Sequence, residues 1–496
     1  MSAPRNPPRK KWTPPARRKK RRIDERGVAL ILVLGAITVL TVFLTELQEE
    51  TSSELASAIA DRDALKAEYF ARSAVNLARL LIATEPEVRK TITPIFQLMG
   101  QKPPQIPVWE FIDLILGPFN DSSSAEGFNA AIGGDTTTAK NLGLTGGRFE
   151  LAIVDEDAKI NLNMAARNEP ITRDRLGEQL LGLMAPISYN PLFEARDGDN
   201  QFSDRQTICG ALVDWADSDV NGNEPAYACD PRSSQATNSG QEDNFYQNIG
   251  MTYVRKNAAY DSLDEVRLVR GMGDDFWATF VDPEPENPKK RILTVWGQGA
   301  VNVNSANAQT LLAIVCGSAP DAELCNDPLQ MEAFIMGVTL GKSMTFGLPL
   351  FGSTQGFVDA MKGTGTIGTV LASLQVKPVN FKNPKDVKKS IAVNSKMFSI
   401  YADGIVPGYK RTTKVRIHAV VDFRNAGQLQ STGMVLNGSQ TVTSPTNALT
   451  ARSGTSATGA GAGASAANSG SPMTADQLLQ AMNSNPAGTV VYWRIE

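Results

Sequence analysis

The chain has 496 residues, 42% hydrophobic and 20% charged, enough for roughly two to four domains and unlike a fibrous or low-complexity protein. Its net charge of −3 hides an asymmetry: residues 1–26 hold eleven Lys/Arg against Asp24 and Glu25, a balance of +9, so the remainder carries −12. An acidic body argues against general nucleic-acid binding. A single histidine, His418, removes most Ser-His-Asp and Cys-His chemistry, and the absence of any C-x-x-C pair argues against zinc.

The basic leader ends at Arg26-Gly27, and an uncharged apolar run extends from Val28 to Thr45. The positive-inside rule places the leader in the cytoplasm and the body across the membrane. Three outcomes compete for this segment. A secretory signal peptide would be cleaved after the apolar run at small residues, but Thr45-Glu46-Leu47-Gln48-Glu49-Glu50 follows there. An uncleaved anchor is possible, because ~18 apolar residues just suffice to cross the hydrocarbon core. Cleavage between Gly27 and Val28 would instead make the run a mature N-terminus. Arg-Gly before an apolar helix resembles the prepilin class, which implies processing by prepilin peptidase and methylation of the new N-terminal residue. Most prepilins carry Glu at the fifth mature position, and here that position is Leu32. The K minor pseudopilins of type II secretion share this departure, which implies a subunit with no other subunit above it.

From Ala36 to Glu85 there is no Gly or Pro, and good helix formers dominate. Leu55, Ile59, Leu65, Tyr69, Phe70, Leu77, Leu80 and Leu81 suggest an apolar stripe that packs on a sheet, with Pro86 ending the helix. Residues 86–147 read as an irregular loop around an apolar patch at Val108–Leu116. Arg148–Asp155 alternates like a half-buried strand, as do Met397–Val406, Thr412–Phe423 and Gly488–Glu496. Residues 429–474 are Gly/Ala/Ser/Thr-rich, with Arg452 the only charge, and read as a flexible linker. The strands flank a mostly helical block, 156–395. The expected fold class is α+β: a pilin-like long N-terminal helix on a small antiparallel sheet, with a large α-helical insertion.

The insertion contains an echo. Lys159-Ile160-Asn161-Leu162-Asn163-Met164-Ala165 matches Ala300-Val301-Asn302-Val303-Asn304-Ser305-Ala306, each followed by a helical pattern, the second over Ala308–Val315. Ser262-Leu263-Asp264-Glu265 reads as a capping box before Val266–Val269, closed by Gly271. Short helices ended by Gly look like sterile-alpha-motif or helix-hairpin-helix units. Repeated packing without a ligand explains them better than nucleic-acid binding, because Asp274-Asp275 beside the Gly271 turn would repel a phosphate. Gly363-Thr364-Gly365 and Gly337 to Gly341-Lys342-Ser343 both fail the phosphate-loop spacing. No enzyme is expected.

The cysteines are Cys209, Cys229, Cys316 and Cys325. In an oxidising compartment, pairing 209 with 229 and 316 with 325 closes two short loops; reduced, buried thiols are the other state the sequence allows. Asp217-x-Asp219-x-Asn221-Gly222-Asn223 sets oxygen donors at alternate positions around a glycine bend, like the opening half of an EF-hand loop. The closing carboxylate is missing locally, since the corresponding position is Ala228, and Glu242 or Asp243 could supply it. A solvated Asp/Asn-rich turn is the plainer alternative.

Several stretches together resemble one family. Asp155-Glu156-Asp157-Ala158-Lys159-Ile160-Asn161-Leu162-Asn163 looks like its D-E-D-G-K-I-N-L-N, with Ala158 in place of Gly. Asp214-Trp215-Ala216-Asp217-Ser218-Asp219 looks like its D-W-x-D-x-D, and Gln241-Glu242-Asp243 with Tyr246 like G-x-E-D-x-Y-Y. Ser262–Met272 and Ala300–Leu311 match two more of its stretches in order. The family is general secretion pathway protein K (GspK), the K minor pseudopilins of type II secretion, and the resemblance covers about 20 to 315. It implies structural calcium at the 217–243 loop. It also implies a tip subunit that primes and caps the pseudopilus, with the I and J minor pseudopilins, the major pseudopilin and prepilin peptidase as partners. The protein would sit in the inner membrane by a single span, with its body in the periplasm. The competing expectation is an uncleaved, membrane-anchored periplasmic binding or scaffold protein.

Overall fold

The structure is a computed structural model that describes residues 25–98, 103–112, 146–167, 169–196, 200–218, 227–229, 244–285, 287–345, 347–408, 411–427 and 486–496. The chain divides into two compact units, 1–63 and 64–496. Most of the leader, the 429–474 linker and the greater part of the 86–147 loop lie outside the described residues.

Helix α1 runs from Glu25 to Leu98 and contributes to both units. In the first unit its apolar run is exposed from Val28 to Leu44. The hydroxyls within it are satisfied by the helix itself: Thr38 donates to the Gly35 carbonyl at 2.9 Å and Thr41 to Ile37 at 2.6 Å. Thr45 likewise donates to Thr41 at 3.0 Å. A helix that meets its own polar needs suits a medium without water.

In the second unit α1 passes through Pro86 and Pro94 instead of ending at Pro86. Proline removes one helical donor. Here the turn is held across the gap by Glu85, which pairs with Arg89 at 2.6 Å and accepts the Ile106 amide at 3.0 Å.

After α1, Val108–Phe111 form a 3-10 turn that buries Val108 and Trp109. The chain then forms β1 (Arg148–Asp155), β2 (Ile160–Asn161), α2 (Pro170–Met184), α3 (Arg205–Ala216) and β3 (Leu293–Thr294). Next come β4 (Val301–Asn302), α4 (Ala308–Ser318), α5 (Pro328–Met344), α6 (Thr354–Met361), α7 (Gly365–Ser373) and α8 (Pro384–Ser390). Strands β5 (Ile391–Ala392), β6 (Met397–Pro407), β7 (Thr412–Asp422) and β8 (Thr489–Ile495) complete the described chain. The main sheet has the order β1-β6-β7-β8 and is antiparallel throughout. This is the expected α+β arrangement, a small sheet on a long helix with a helical insertion.

The face that α1 lays on the sheet differs from the stripe expected. Ala67, Phe70, Ala71, Ala74, Val75, Ala78 and Ile82 are buried there, while Leu65, Tyr69 and Leu80 are exposed. The reason is distance. A Cβ on Gly404 of β6 would stand 1.8 Å from the Ala67 carbonyl oxygen and 2.9 Å from the Ala71 nitrogen. Helix and strand backbones almost touch at that point, so alanines fill the closest approach; of the expected stripe Phe70, Leu77 and Leu81 still pack beside them, while Leu65, Tyr69 and Leu80 turn outward.

The insertion is built twice from one plan. Strand β2 pairs in parallel with β3, and β4 in parallel with β5. In each copy the first Asn of the N-x-N motif accepts the amide of the second: Asn161 from Asn163 at 2.9 Å, Asn302 from Asn304 at 3.0 Å. The second Asn then clamps a distant residue by both backbone groups. Asn163 accepts the Tyr260 amide at 2.7 Å and donates to its carbonyl at 3.0 Å. Asn304 treats Phe351 the same way, at 2.8 and 3.0 Å. Helices α2 and α4 meet through glycines: a Cβ on Gly182 would lie 2.0 Å from the Ala313 oxygen, and one on Gly317 2.2 Å from the Glu178 oxygen. The echo in the sequence is therefore a duplicated scaffold.

One expected detail changes. Ser262 makes no side-chain cap, and Leu263–Leu268 is a 3-10 turn. Glu265 still reaches back, but to the Asp261 amide at 2.9 Å, and Lys256 holds its carboxylate at 3.0 Å.

Candidate functional site

Three places carry the residues singled out above. At the first, Gly27 and Val28 lie in the opening turns of α1, and Leu32 points outward, 69% exposed. The helix that contains them is long and apolar enough to cross a membrane, and its apolar window is exposed.

The second place is the joint between the sheet and the insertion, where three consecutive carboxylates each hold a different segment. Asp155, the last residue of β1, accepts the Asp157 amide at 3.0 Å and the Ser395 hydroxyl. Ser395 is also met by Asn302 at 2.7 Å and by Gln105, which donates to its carbonyl at 3.0 Å. Glu156 pairs with Lys159 at 3.1 Å, both side chains 5% exposed, and accepts the Thr294 hydroxyl at 2.5 Å. Asp157 accepts the amides of Gln298 at 2.8 Å, Lys396 at 2.7 Å and Met397 at 3.1 Å.

The electrostatics follow from that packing. Burial, with the Asp157 charge beside it, pushes Asp155 up to about 7. Burial also raises Asp157, against its three amide donors. Burial works to raise Glu156, but Lys159 and the neighbouring hydroxyls outweigh it and hold the carboxyl below its usual range. Burial lowers Lys159, with Glu156 opposing. The D-E-D run is thus a fastening: each carboxylate ties the end of β1 to a strand, turn or loop far away in sequence.

The third place is the C-terminal end of α3. Cys209 is bonded to Cys229, and Asp214 accepts the Tyr227 amide at 2.8 Å. Tyr227 in turn donates to Asp174 at 2.8 Å. The second disulfide joins Cys316 at the end of α4 to Cys325. Asp217 is the C-cap of α3 and is buried. Its Oδ2 faces Arg173 at 3.1 Å and its Oδ1 faces Arg255 at 3.7 Å. Those guanidinium groups orient the carboxylate and would oppose a cation placed on the same two oxygens. Asp219, Asn221, Asn223, Glu242 and Asp243 lie outside the described residues. Among the described residues no group of three or more His, Cys, Asp or Glu side chains could hold a metal ion.

Sequence reasoning missed two features. Arg79 of α1 donates to the carbonyls of Ala487 and Gly488, each at 2.9 Å, and so holds the start of β8. A cavity of about 380 Å³ lies between the outer face of the sheet and the insertion, lined among others by Trp296, Tyr401, His418 and Tyr492. His418 stacks on Tyr401 at 4.2 Å, and burial lowers it to about 4, so it is neutral at ordinary pH. Arg79 is one basic residue in an ordinary helical pattern and carries no sequence signal. His418 was visible only as the sole histidine.

No family model matches the chain, and no curated protein matches it. Among solved structures it is similar to one described as the crystal structure of the GspK–GspI–GspJ complex from the type 2 secretion system of enterotoxigenic Escherichia coli. The identity is 17%, over 56% of this chain and 76% of that chain, with a TM-score of 0.32.

Proposed function

We propose that the chain is a minor pseudopilin of a type II secretion system. The observation that carries this is the start of α1. An exposed apolar run begins directly after Arg26-Gly27, carries Leu32 in place of a fifth-position carboxylate, and belongs to the same helix whose alanine face lies on the sheet. The D-E-D-x-K-I-N-L-N, D-W-x-D-x-D and V-N-V-N stretches support the same family by resemblance. On this reading prepilin peptidase cuts between Gly27 and Val28, and the new amine is methylated. The span stays in the inner membrane with the body in the periplasm, and the large body caps a filament that it primes with the I and J minor pseudopilins. Intact-mass measurement of membrane-extracted protein tests the processing. A chain beginning at methylated Val28 is expected. A chain that keeps Met1 would favour the uncleaved anchor, and a cut after Thr45 would favour a signal peptide.

The same reading includes calcium in the loop that follows α3. Asp219, Asn221, Asn223, Glu242 and Asp243 supply the hard oxygen donors such an ion takes. Asp217 lies at the foot of the loop, oriented by Arg173 and Arg255. The ion's part would be structural, holding a loop that the Cys209–Cys229 bond already closes. EDTA should lower the melting temperature and calcium alone should restore it; an unchanged melting temperature would leave a solvated turn.

A further inference from the structure

Strand β8 is an edge. No strand pairs with its outer side among the described residues. Its ladder to β7 fixes which backbone groups point outward. Glu496 and Arg416 exchange both bonds, at 2.8 and 3.0 Å, so the backbone of Glu496 faces β7. By alternation, Arg494 faces β7 too, while Trp493 and Ile495 turn their N–H and C=O away from the sheet. Those two residues also keep large apolar side chains in the open: Trp493 is 40% and Ile495 46% exposed, with Val491 at 45%. They lie in register with Ala419 and Ile417, which are buried beneath α1. An exposed apolar edge strand with an unused ladder invites another strand, and proteins commonly blunt such edges with charge or proline. The charges of this strand, Arg494 and Glu496, lie on its other face and leave Trp493 and Ile495 uncovered.

The opposite face of β8 has a different character. Tyr492, Arg494 and Glu496 line the 380 Å³ cavity together with Asp261, Asp264 and Trp296. Arg494 pairs with Glu496 at 3.3 Å and feels the charge of Asp264, while Asp261 is held by Lys256 at 2.7 Å. Seven carboxylate residues against four cationic ones line the cavity, so this side is net negative. A strand laid along β8 would therefore meet apolar surface with every second side chain and acidic surface with the others.

We propose that β8 is a docking edge that takes an extended segment of another polypeptide, one in which apolar and basic side chains alternate. Main-chain bonds to Trp493 and Ile495 supply affinity, and the two faces supply register and choice of sequence. The proposal uses only the β8 edge and stands whether or not the filament-tip reading holds.

The test uses the full chain in detergent with seven-residue peptides alternating valine and lysine, or valine and glutamate. Peptides N-methylated at alternate amides, in both registers, serve as ladder-blocked controls. The amides of Trp493 and Ile495 should exchange fast in the protein alone and become protected with the valine–lysine peptide. That peptide should bind at least about tenfold more tightly than the valine–glutamate one, and N-methylation in one register should abolish binding. Ile495→Pro removes an outward N–H without touching a β7 bond and should lose binding while the melting temperature holds. Trp493→Lys should weaken binding by removing apolar surface. Equal binding of all peptides, or none, overturns the proposal. So does protection of both amides in the protein alone, which would mean that this chain already covers the edge. Self-association that Ile495→Pro abolishes would make the occupant a second copy, and the proposal would again be wrong.

Discussion

Replacing Gly404 by alanine probes how closely α1 approaches the sheet. The added Cβ would stand 1.8 Å from the Ala67 oxygen, and ordinary contact begins at 3.4 Å, so the backbones must part by about 1.6 Å along that line. No rotamer change relieves this, because the obstacles are the main-chain atoms of Ala67 and Ala71. A gap of ~0.5–1 Å already forfeits a quarter to a half of each dispersion contact, and overpacking a core costs about 1–3 kcal/mol. The alanine row from Ala67 to Ala78 would lose contact together, so we expect about 3 kcal/mol, the upper end of that range. Native-state hydrogen exchange reads this directly at buried amides of β6 and β7, such as those of Ala402 and Ala419. Their exchange should speed up about hundredfold, since ~1.4 kcal/mol is a factor of ten. Gly352→Ala is the control, because a Cβ there meets nothing within 4 Å. If Gly404→Ala changes exchange no more than Gly352→Ala does, the helix does not rest on the sheet as described.

Gly317→Ala should destabilise the insertion by at least about 2 kcal/mol, because its Cβ would collide with the Glu178 carbonyl; a lowered urea midpoint with an unaltered far-ultraviolet spectrum checks this. Reducing the disulfides should lower the midpoint by an amount divided unequally between Cys209–Cys229, with 20 residues of separation, and Cys316–Cys325, with 9, the longer loop contributing more; single Cys→Ser pairs separate the two. The Asp155 carboxyl, pushed up to about 7 from its ordinary 3.8, makes the folded chain bind a proton that the unfolded chain does not hold across that window. Its contribution to stability is therefore fully present below the unfolded value and is lost as pH rises towards about 7. The urea midpoint should fall between about pH 4 and about pH 7, and Asp155→Asn, neutral throughout, should flatten the slope.

How far the residues announced this structure depends on whether the signal was local. Strand β1 alternates Phe149, Leu151 and Ile153 with polar or small residues, and its limits emerged at Arg148 and Asp155 as read. The N-x-N echo was legible because an Asx turn needs only neighbours two apart. What the second Asn holds was not, since Tyr260 lies 97 residues beyond Asn163. The stripe of α1 holds only in part, with Phe70, Leu77 and Leu81 packed and the rest exposed, for a physical reason. Leucines and tyrosine dominate a hydrophobic pattern, whereas a backbone-close interface selects alanine, and the residue that records that closeness, Gly404, lies far along the chain. Pro86 misled likewise, because the bonds of Glu85 that keep the helix going come from Arg89 and Ile106.

The duplicated scaffold makes sense of where the unusual residues sit. In the second copy Asn304 reaches Phe351 across 47 residues; in the first, Asn163 reaches Tyr260 across 97. The same clamp therefore closes over about twice the chain, and the surplus contains α3, the Cys209–Cys229 bond and the whole Asp217–Asp243 stretch. Closing a longer loop costs only about 0.6 kcal/mol per doubling. Asn163 also offsets part of that cost with a bond that Asn304 does not match among the described residues, donating to the Val295 carbonyl at 2.8 Å. If the proposed calcium binds this stretch, the first copy, not the second, is the half whose stability should answer to it. EDTA should speed amide exchange in α3 and leave α4 unchanged, and equal effects on both would refute the assignment.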